Sequence, residues 1–367
     1  MRVGGRVVTP SGVVEGAVEV HGQRITAVTE GSLGAETPQW IVPGFVDIHV
    51  HGGGGHTFTT GDVGEGMQAA AFHLSHGTTT LLASLVSSPY ELMRTATTAF
   101  VQLYEAGVIA GIHYEGPYLS TARCGAQNPA YLRDPSTDEL AALIELGRGA
   151  VRMVTLAPER DGALEAIKLL TAHGVVAAIG HTDATYEETL AGIAAGARVG
   201  THVFNGMRPP HHREPGPVFA LLGAPSVVCE FVADGIHLHD GTLAFATGVT
   251  GPDRAALVND AMAAAGMGDG EYELGGQRVA VTDGVVRLVQ GGSIAGSTLT
   301  MDAALRQAVG AGVSIVDACR MASTTPALAV GLGDTVGALQ PGWQADLVTL
   351  DDDLRVTRVM RAGVWLT

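Results

Sequence analysis

The chain has 367 residues, 46% of them hydrophobic, enough for a large buried core in one big domain plus a small one. Its 21 Lys and Arg against 37 Asp and Glu give a formal net charge of −16, a field that repels phosphate backbones and argues against a nucleic-acid partner, while a few local cations still suffice for a small anionic substrate. Three scattered cysteines (Cys124, Cys229, Cys319) make no disulfide framework, no apolar run approaches the roughly 20 residues of a membrane helix, and "MRVGGRVVTP" lacks a signal peptide's apolar core, so a soluble, cytoplasmic protein with no membrane partner is expected.

The first 43 residues carry short β-branched runs punctuated by glycine: "GRVVT", "AVEVHG" and "RITAVTE". The far end, "ADLVTLD", "VTRVMRAG" and "VWLT", has the same texture. The two ends are therefore expected to meet as one small β-sandwich domain, residues 1–43 and 334–367. Between them short apolar runs alternate with Ala-rich stretches of helical length. "TTTLLASLV" leads into "ELMRTATTAFVQLYEAG", "VRMVTLAPE" into "GALEAIKLLTAHG", "VVAAIGHT" into "YEETLAGIAAG", and "RAALVND" into "AMAAAG". With "GFVDIHVH", "GIHYEGP", "RVGTHVFN" and "SVVCEFVADG", about eight strands fit residues 44–333. This α/β pattern predicts a (β/α)8 TIM-type barrel, a fold that typically takes about 250 residues. An open doubly wound sheet is the alternative.

Barrel enzymes collect their reactive groups where strands end. His49 and His51 end "GFVDIHVH", and strand residues i and i+2 face one side together. Glu115 ends "GIHYEGP", His181 ends "VVAAIGHT", His202 lies in "VGTHVFN", and Asp260 ends "AALVND". Imidazole and carboxylate are the ligands that suit zinc, and imidazole also suits iron. A divalent metal there lowers the pKa of its bound water to about 7, and a nearby carboxylate shuttles the proton. Each residue alone has an ordinary reading. A strand-end His is usually just hydrogen-bonded, Glu115 serves equally as an ion-pair acid, Asp260 as a cap for the next helix, and Gly52 to Gly55 as a turn. Five ligand-type residues plus an Asp, all at strand ends, favour a metal site.

"PGFVDIHVHGGGG" and "GALQPGWQADLVTLD" resemble the amidohydrolase superfamily. Within it "HYEGPYL", "GHTDAT", "THVFNGM", "REPG", "ADGIHLH", "LVNDAMAAAG" and "GSIAGSTLTMDAAL" are similar, in order and over essentially the whole chain, to the N-acetylglucosamine-6-phosphate deacetylase family. The resemblance implies hydrolysis of N-acetyl-D-glucosamine 6-phosphate to D-glucosamine 6-phosphate and acetate by metal-bound hydroxide. It implies Glu115, His181 and His202 as main metal ligands and Asp260 as catalytic acid/base. Asp283 of "VTDGVV" falls in a stretch the family uses for a β-excursion, and Asp234 belongs to the motif that carries His237. The substrate is expected to meet Ala126, Gln127, Asn205, Gly206, Arg213, His237 and Ile294. Arg213 and His237 serve the phosphate, since the Arg fork gives two parallel charge-assisted bonds. In the family that Arg reaches across from a partner subunit, which implies a homodimer.

Three positions depart from the family pattern: Gln127 stands where some relatives place His, Asn259 where Thr is usual, and Gly206 where Ala is common. A neutral Gln127 is a weaker oxyanion donor than an imidazolium. Because His49 and His51 are both present where some relatives carry Gln and Asn, a second metal is expected to share the task. His49, His51 and Glu115 would hold one ion, and Glu115, His181 and His202 the other. The loop "STARCGAQNP" around Cys124 is expected to be mobile near the substrate. His56, beyond the glycines, receives no ligand role. The rival readings are another amidohydrolase, such as a cyclic-amide hydrolase or a deaminase, and a non-catalytic scaffold of the same fold.

Overall fold

Eight of the apolar runs become the parallel strands of a barrel, in order Phe45–Val50, Thr78–Leu85, Gly111–Glu115, Val151–Leu156, Val176–Ile179, Val199–Gly200, Val228–Val232 and Ala255–Val258. These are barrel strands one to eight below. The computed structural model describes residues 1–31 and 39–366. Residues 32–38 and Thr367, which the expected end domain includes, lie outside the described residues. Strands one and two are buried along their whole length, as parallel strands covered on both faces must be. The seam between strands eight and one closes just past the strand ends, where Asp260 N donates to the His49 carbonyl (2.9 Å) and His51 N to the Ala261 carbonyl (2.8 Å).

Helices wrap the barrel where the sequence pattern calls for them. Tyr90–Glu105 buries Met93, Ala96, Thr97, Phe100, Val101 and Leu103, a stripe at helical spacing. Tyr186–Ala195 starts on a capping box, in which Thr185 and Glu188 satisfy each other's backbone N–H. "AMAAAG" departs from expectation. It forms turns, not a helix. The carbonyls of Ala261, Ala263 and Ala265 are taken by backbone N–H groups of His51 and Gly52, of Gly55, and of Gly54, so they are unavailable to a helical ladder. A three-stranded antiparallel sheet follows (Gly270–Leu274, Gln277–Thr282, Val285–Leu288), and its own apolar cluster includes Val86, Met262, Leu274 and Val281.

Both chain ends contribute to one seven-stranded sheet. Its pivot is Trp40–Pro43, which pairs in parallel with Arg2–Thr9 and antiparallel with Leu347–Leu350. Val7, Val18, Ile25, Ile41, Leu347 and Met360 pack a small core against it. Only Gly44 separates this sheet from barrel strand one. The result is the expected architecture: a (β/α)8 barrel carrying a small β domain made from both ends of the chain.

Candidate metal centre

Six residues converge at one mouth of the barrel. Glu115 is the last residue of strand three, and His51 lies one residue past strand one. His181, His202 and Asp260 each lie two residues past strands five, six and eight. His49 points inward from strand one itself. This is the C-terminal end of the strands, where barrel enzymes carry their chemistry. All six are buried. Two groups have donor atoms within 4.8 Å of one another: His49, His51 and Asp260, and Glu115, His181 and His202.

Glu115 lies between the two groups. Its Oε1 is 2.9 Å from both His181 Nε2 and His202 Nε2 and 3.6 Å from His49 Nε2. Its Oε2 is 3.2 Å from His51 Nε2. Asp260 Oδ1 approaches His51 Nε2 at 3.2 Å and His49 Nε2 at 3.5 Å. Asp260 thus joins the His49 and His51 group, a placement beyond the proton-transfer role expected of it. With no helix following, the capping reading of Asp260 falls away.

The hydrogen bonds on the far side of each ring decide what the near side offers. His49 Nδ1 faces Glu230 Oε2 (3.1 Å), His51 Nδ1 the Ser84 carbonyl (3.2 Å), and His181 Nδ1 the Arg123 carbonyl (2.8 Å). Acceptors at these positions require Nδ1–H, so each neutral ring turns a bare Nε2 lone pair toward the centre. Those lone pairs crowd: His49 Nε2 is 3.2 Å from His51 Nε2, and His181 Nε2 is 3.1 Å from His202 Nε2. Converging lone pairs and carboxylate oxygens repel unless positive charge sits among them. The residues therefore fit divalent metal.

Electrostatics lead to the same conclusion. Burial alone would drive these imidazoles neutral, yet Glu115, Asp260 and Glu230 hold His49 well above the ordinary range, and Asp260 and Glu115 raise His51 to about 9. Burial would likewise favour neutral carboxyls, but His49 and His181 hold Glu115 well below the usual range, and His49 and His51 lower Asp260 to about 2. The pocket is built around buried negative charge that calls for cations. The backbone is strained at the same place: His181 (φ 47°), His202 (φ 26°) and Asp260 (φ 49°) all sit in the left-handed region.

A cavity of about 300 Å³ opens on this centre. Ala126, Gln127, Asn205, Gly206, His237 and Ile294 all line it, together with five of the six metal-site residues, His49 lying beneath. Arg213 does not. It is exposed, its guanidinium 2.8 Å from His212 Nε2 beside a separate surface pocket with Arg208 and Glu214. No Lys or Arg of this chain lines the cavity among the described residues. Gln127 is spoken for: its Oε1 accepts from Ser87 N (2.7 Å) and its amide donates to Glu115 Oε2 (2.6 Å). It thereby orients the shared carboxylate while its side chain also lines the cavity.

Residues 40–366 match the sequence profile of the Amidohydrolase family. The chain belongs to that family. This amidohydrolase is 34% identical over 353 residues to the N-acetylglucosamine-6-phosphate deacetylase of Lysinibacillus sphaericus, covering 95% of this chain and 89% of the relative. It is 37% identical over 330 residues to the N-acetylgalactosamine-6-phosphate deacetylase of Shewanella sp. (strain ANA-3), covering 88% and 82%. Among solved structures, a mutant N-acetyl-D-glucosamine-6-phosphate deacetylase from Mycobacterium smegmatis, in complex with N-acetyl-D-glucosamine-6-phosphate, superposes with a TM-score of 0.96 at 45% identity, over 100% of this chain and 98% of that one.

Sequence reasoning passed over several parts of the amidohydrolase centre. Glu230, inside the apolar run "SVVCEFV", is fully buried and braces His49. A lone acid within a buried strand was the available signal. The Arg123 carbonyl that orients His181 comes from the Cys124 loop, tying this loop to the centre, and Arg123 itself pairs with Asp183 (2.8 Å). His113 is a fifth histidine under the site. Ser84 Oγ (2.9 Å) and Thr155 Oγ1 (2.8 Å) occupy both its nitrogens, and burial pushes its pKa well down, so it is a neutral core residue. Gly52 and Gly53 are steric necessities. A Cβ at Gly53 would lie 2.4 Å from the Phe72 ring, and one at Gly52 2.3 Å from the His56 carbonyl. His56 pairs with Glu65 (3.1 Å), half-exposed and apart from the metal groups. Asp283 sits exposed in a turn of the three-stranded sheet.

Proposed function

We propose that this amidohydrolase deacetylates N-acetyl-D-glucosamine 6-phosphate, adding water across the amide to release D-glucosamine 6-phosphate and acetate. The observation that carries the reading is the pair of buried donor groups sharing Glu115, with Asp260 facing the cavity. The substrate class rests on relatives and a solved structure that share the fold across nearly the whole chain. We infer two divalent ions, zinc or iron. His49, His51, Asp260 and Glu115 would hold one, and Glu115, His181 and His202 the other. Bound there, such ions supply an acidified water and a Lewis acid for the amide carbonyl.

The chain's own residues do the rest. Asp260, held ionised, takes the proton of the attacking water and returns it to the amine nitrogen, which cannot leave as an anion. Gln127 keeps the Glu115 carboxylate in place. His237 donates Nδ1–H to Asp234 Oδ2 (2.7 Å), and that carboxylate, against burial, raises the His237 pKa, which favours the protonated ring and a second N–H donor at the cavity. It would meet the phosphate with the amide of Asn205 and the backbone of Gly206. Since no Lys or Arg among the described residues of the same chain lines the cavity, Arg213 of a second subunit is the proposed phosphate cation, in a cytoplasmic homodimer. The Shewanella relative favours a second reading, the C4-epimeric N-acetylgalactosamine 6-phosphate. Acetate release from the two phosphorylated sugars and from unphosphorylated N-acetylglucosamine separates these readings. The proposal expects N-acetyl-D-glucosamine 6-phosphate to be fastest by kcat/KM. Equal rates with and without phosphate would sink the phosphate assignment.

A further inference from the structure

Glu230 lies in the middle of strand seven, 0% exposed. A buried carboxylate is costly to keep charged unless something offsets it. Its Oε2 has two donors: His49 Nδ1 at 3.1 Å and the backbone N–H of His202 at 3.1 Å. Its Oε1 has no hydrogen-bond partner among the described residues. Among the described residues, His49 is the only side chain at ion-pair distance from it. No Lys or Arg balances the charge among the described residues, so the compensating positive charge must reach Glu230 through the imidazole.

We propose that Glu230 is a positioning residue for the ion held by His49, His51 and Asp260. Its carboxylate keeps the proton on His49 Nδ1, turns Nε2 inward, and makes that nitrogen a stronger donor than a neutral acceptor would. The bond to His202 N fixes the left-handed backbone beside the second group, so one buried acid sets the frame of both. This inference rests on the two-ion reading above.

Charge, not shape, is the claim, and the choice of variants tests it. Glu230→Gln keeps size and an acceptor oxygen but loses the charge, whereas Glu230→Asp keeps the charge and shortens the arm. A merely structural role predicts that the isosteric Gln is the milder change; the proposal predicts the reverse. Chelator-stripped wild type and both variants would be titrated with Zn²⁺ by calorimetry, with ion content counted and thermal unfolding followed in parallel. Wild type should bind in two steps. Glu230→Gln should keep the step due to Glu115, His181 and His202 and weaken the other about 10–100-fold. Glu230→Asp should fall between the two, and it alone reads the effect if Glu230→Gln fails to fold. Unchanged affinities in Glu230→Gln, a larger loss in Asp than in Gln, or equal weakening of both steps would overturn the inference while leaving the two-ion reading standing. A single binding step in wild type would instead remove that reading, and this inference with it.

Discussion

The two halves of the metal centre are built differently. His49 and His51 sit on and just past strand one, at the seam where it meets strand eight, and their Nδ1 atoms are held by Glu230 and the Ser84 carbonyl. His181 and His202 sit past strands five and six, on turns with positive φ. His181 is held by one loop carbonyl, and His202 Nδ1 has no partner among the described residues. The first half leans on barrel side chains, except that Asp260 lies past its strand with positive φ as the rim histidines do; the second leans on loops that also line the cavity, with Glu230 of strand seven holding the His202 backbone. A barrel of parallel strands can thus draw one ligand set mainly from its walls and one mainly from its rim, joined by Glu115.

The largest test of this contrast is at Asp260, which belongs to the braced half yet faces the cavity. Asp260→Asn should bind substrate and lose about 10²–10⁴-fold in kcat, the usual range for a positioned acid/base. Turnover near that of wild type would remove Asp260 from the acid/base role. Next comes Gly206, on the rim. A Cβ there would lie 2.7 Å from His181 Nδ1, and the backbone has φ +60°. Relatives accommodate Ala at this position, so the bulkier Gly206→Val is the test: it should displace His181, weakening the rim ion while His49 and His51 keep theirs, at an overpacking cost of about 1–3 kcal/mol read by thermal unfolding. Simultaneous loss of both ions would erase the distinction between wall and rim.

A smaller effect concerns the phosphate end, which neither half supplies. His237 carries a raised pKa, against burial, through Asp234. KM for the phosphorylated substrate should stay low until pH rises through the folded His237 pKa, then climb. In Asp234→Asn, with burial no longer opposed by that carboxylate, the climb should begin earlier, at or below the ordinary value of about 6.5, with a several-fold higher KM at neutral pH. The linked stability has a definite sign. The His237 contribution is complete below its unfolded pKa and is lost as pH rises through the folded one. The Asp234 pKa is lowered, against burial, by its bond to His237, so its contribution is present above the unfolded value and fades as pH falls through the folded one. Identical pH profiles in wild type and variant would detach His237 from substrate binding.

Much of this was legible in the sequence because polar residues at the ends of apolar runs have few other reasons to be there. His49, His51, Glu115, His181, His202 and Asp260 all stand at such ends, and they do come together. What escaped was tertiary in origin. "AMAAAG" has high helix propensity, but the glycine loop after His51 captures its carbonyls, and backbone pairing outweighs propensity. Strand six is only Val199–Gly200 because the chain turns at once to aim His202, a constraint no periodicity encodes. The bonds of Gln127 to Ser87 and Glu115 join residues distant along the chain and leave no local signal. Glu230 was visible as an odd letter in an apolar strand, but its meaning depends on which side of the barrel it faces.

The central claim is that walls and rim together hold two ions. The direct measurement is the ion count per chain, by elemental analysis of protein purified without chelator, in wild type and in a His49→Gln, His51→Asn double variant. The account predicts two ions falling to one. One ion in wild type, unchanged in the double variant, would contradict it.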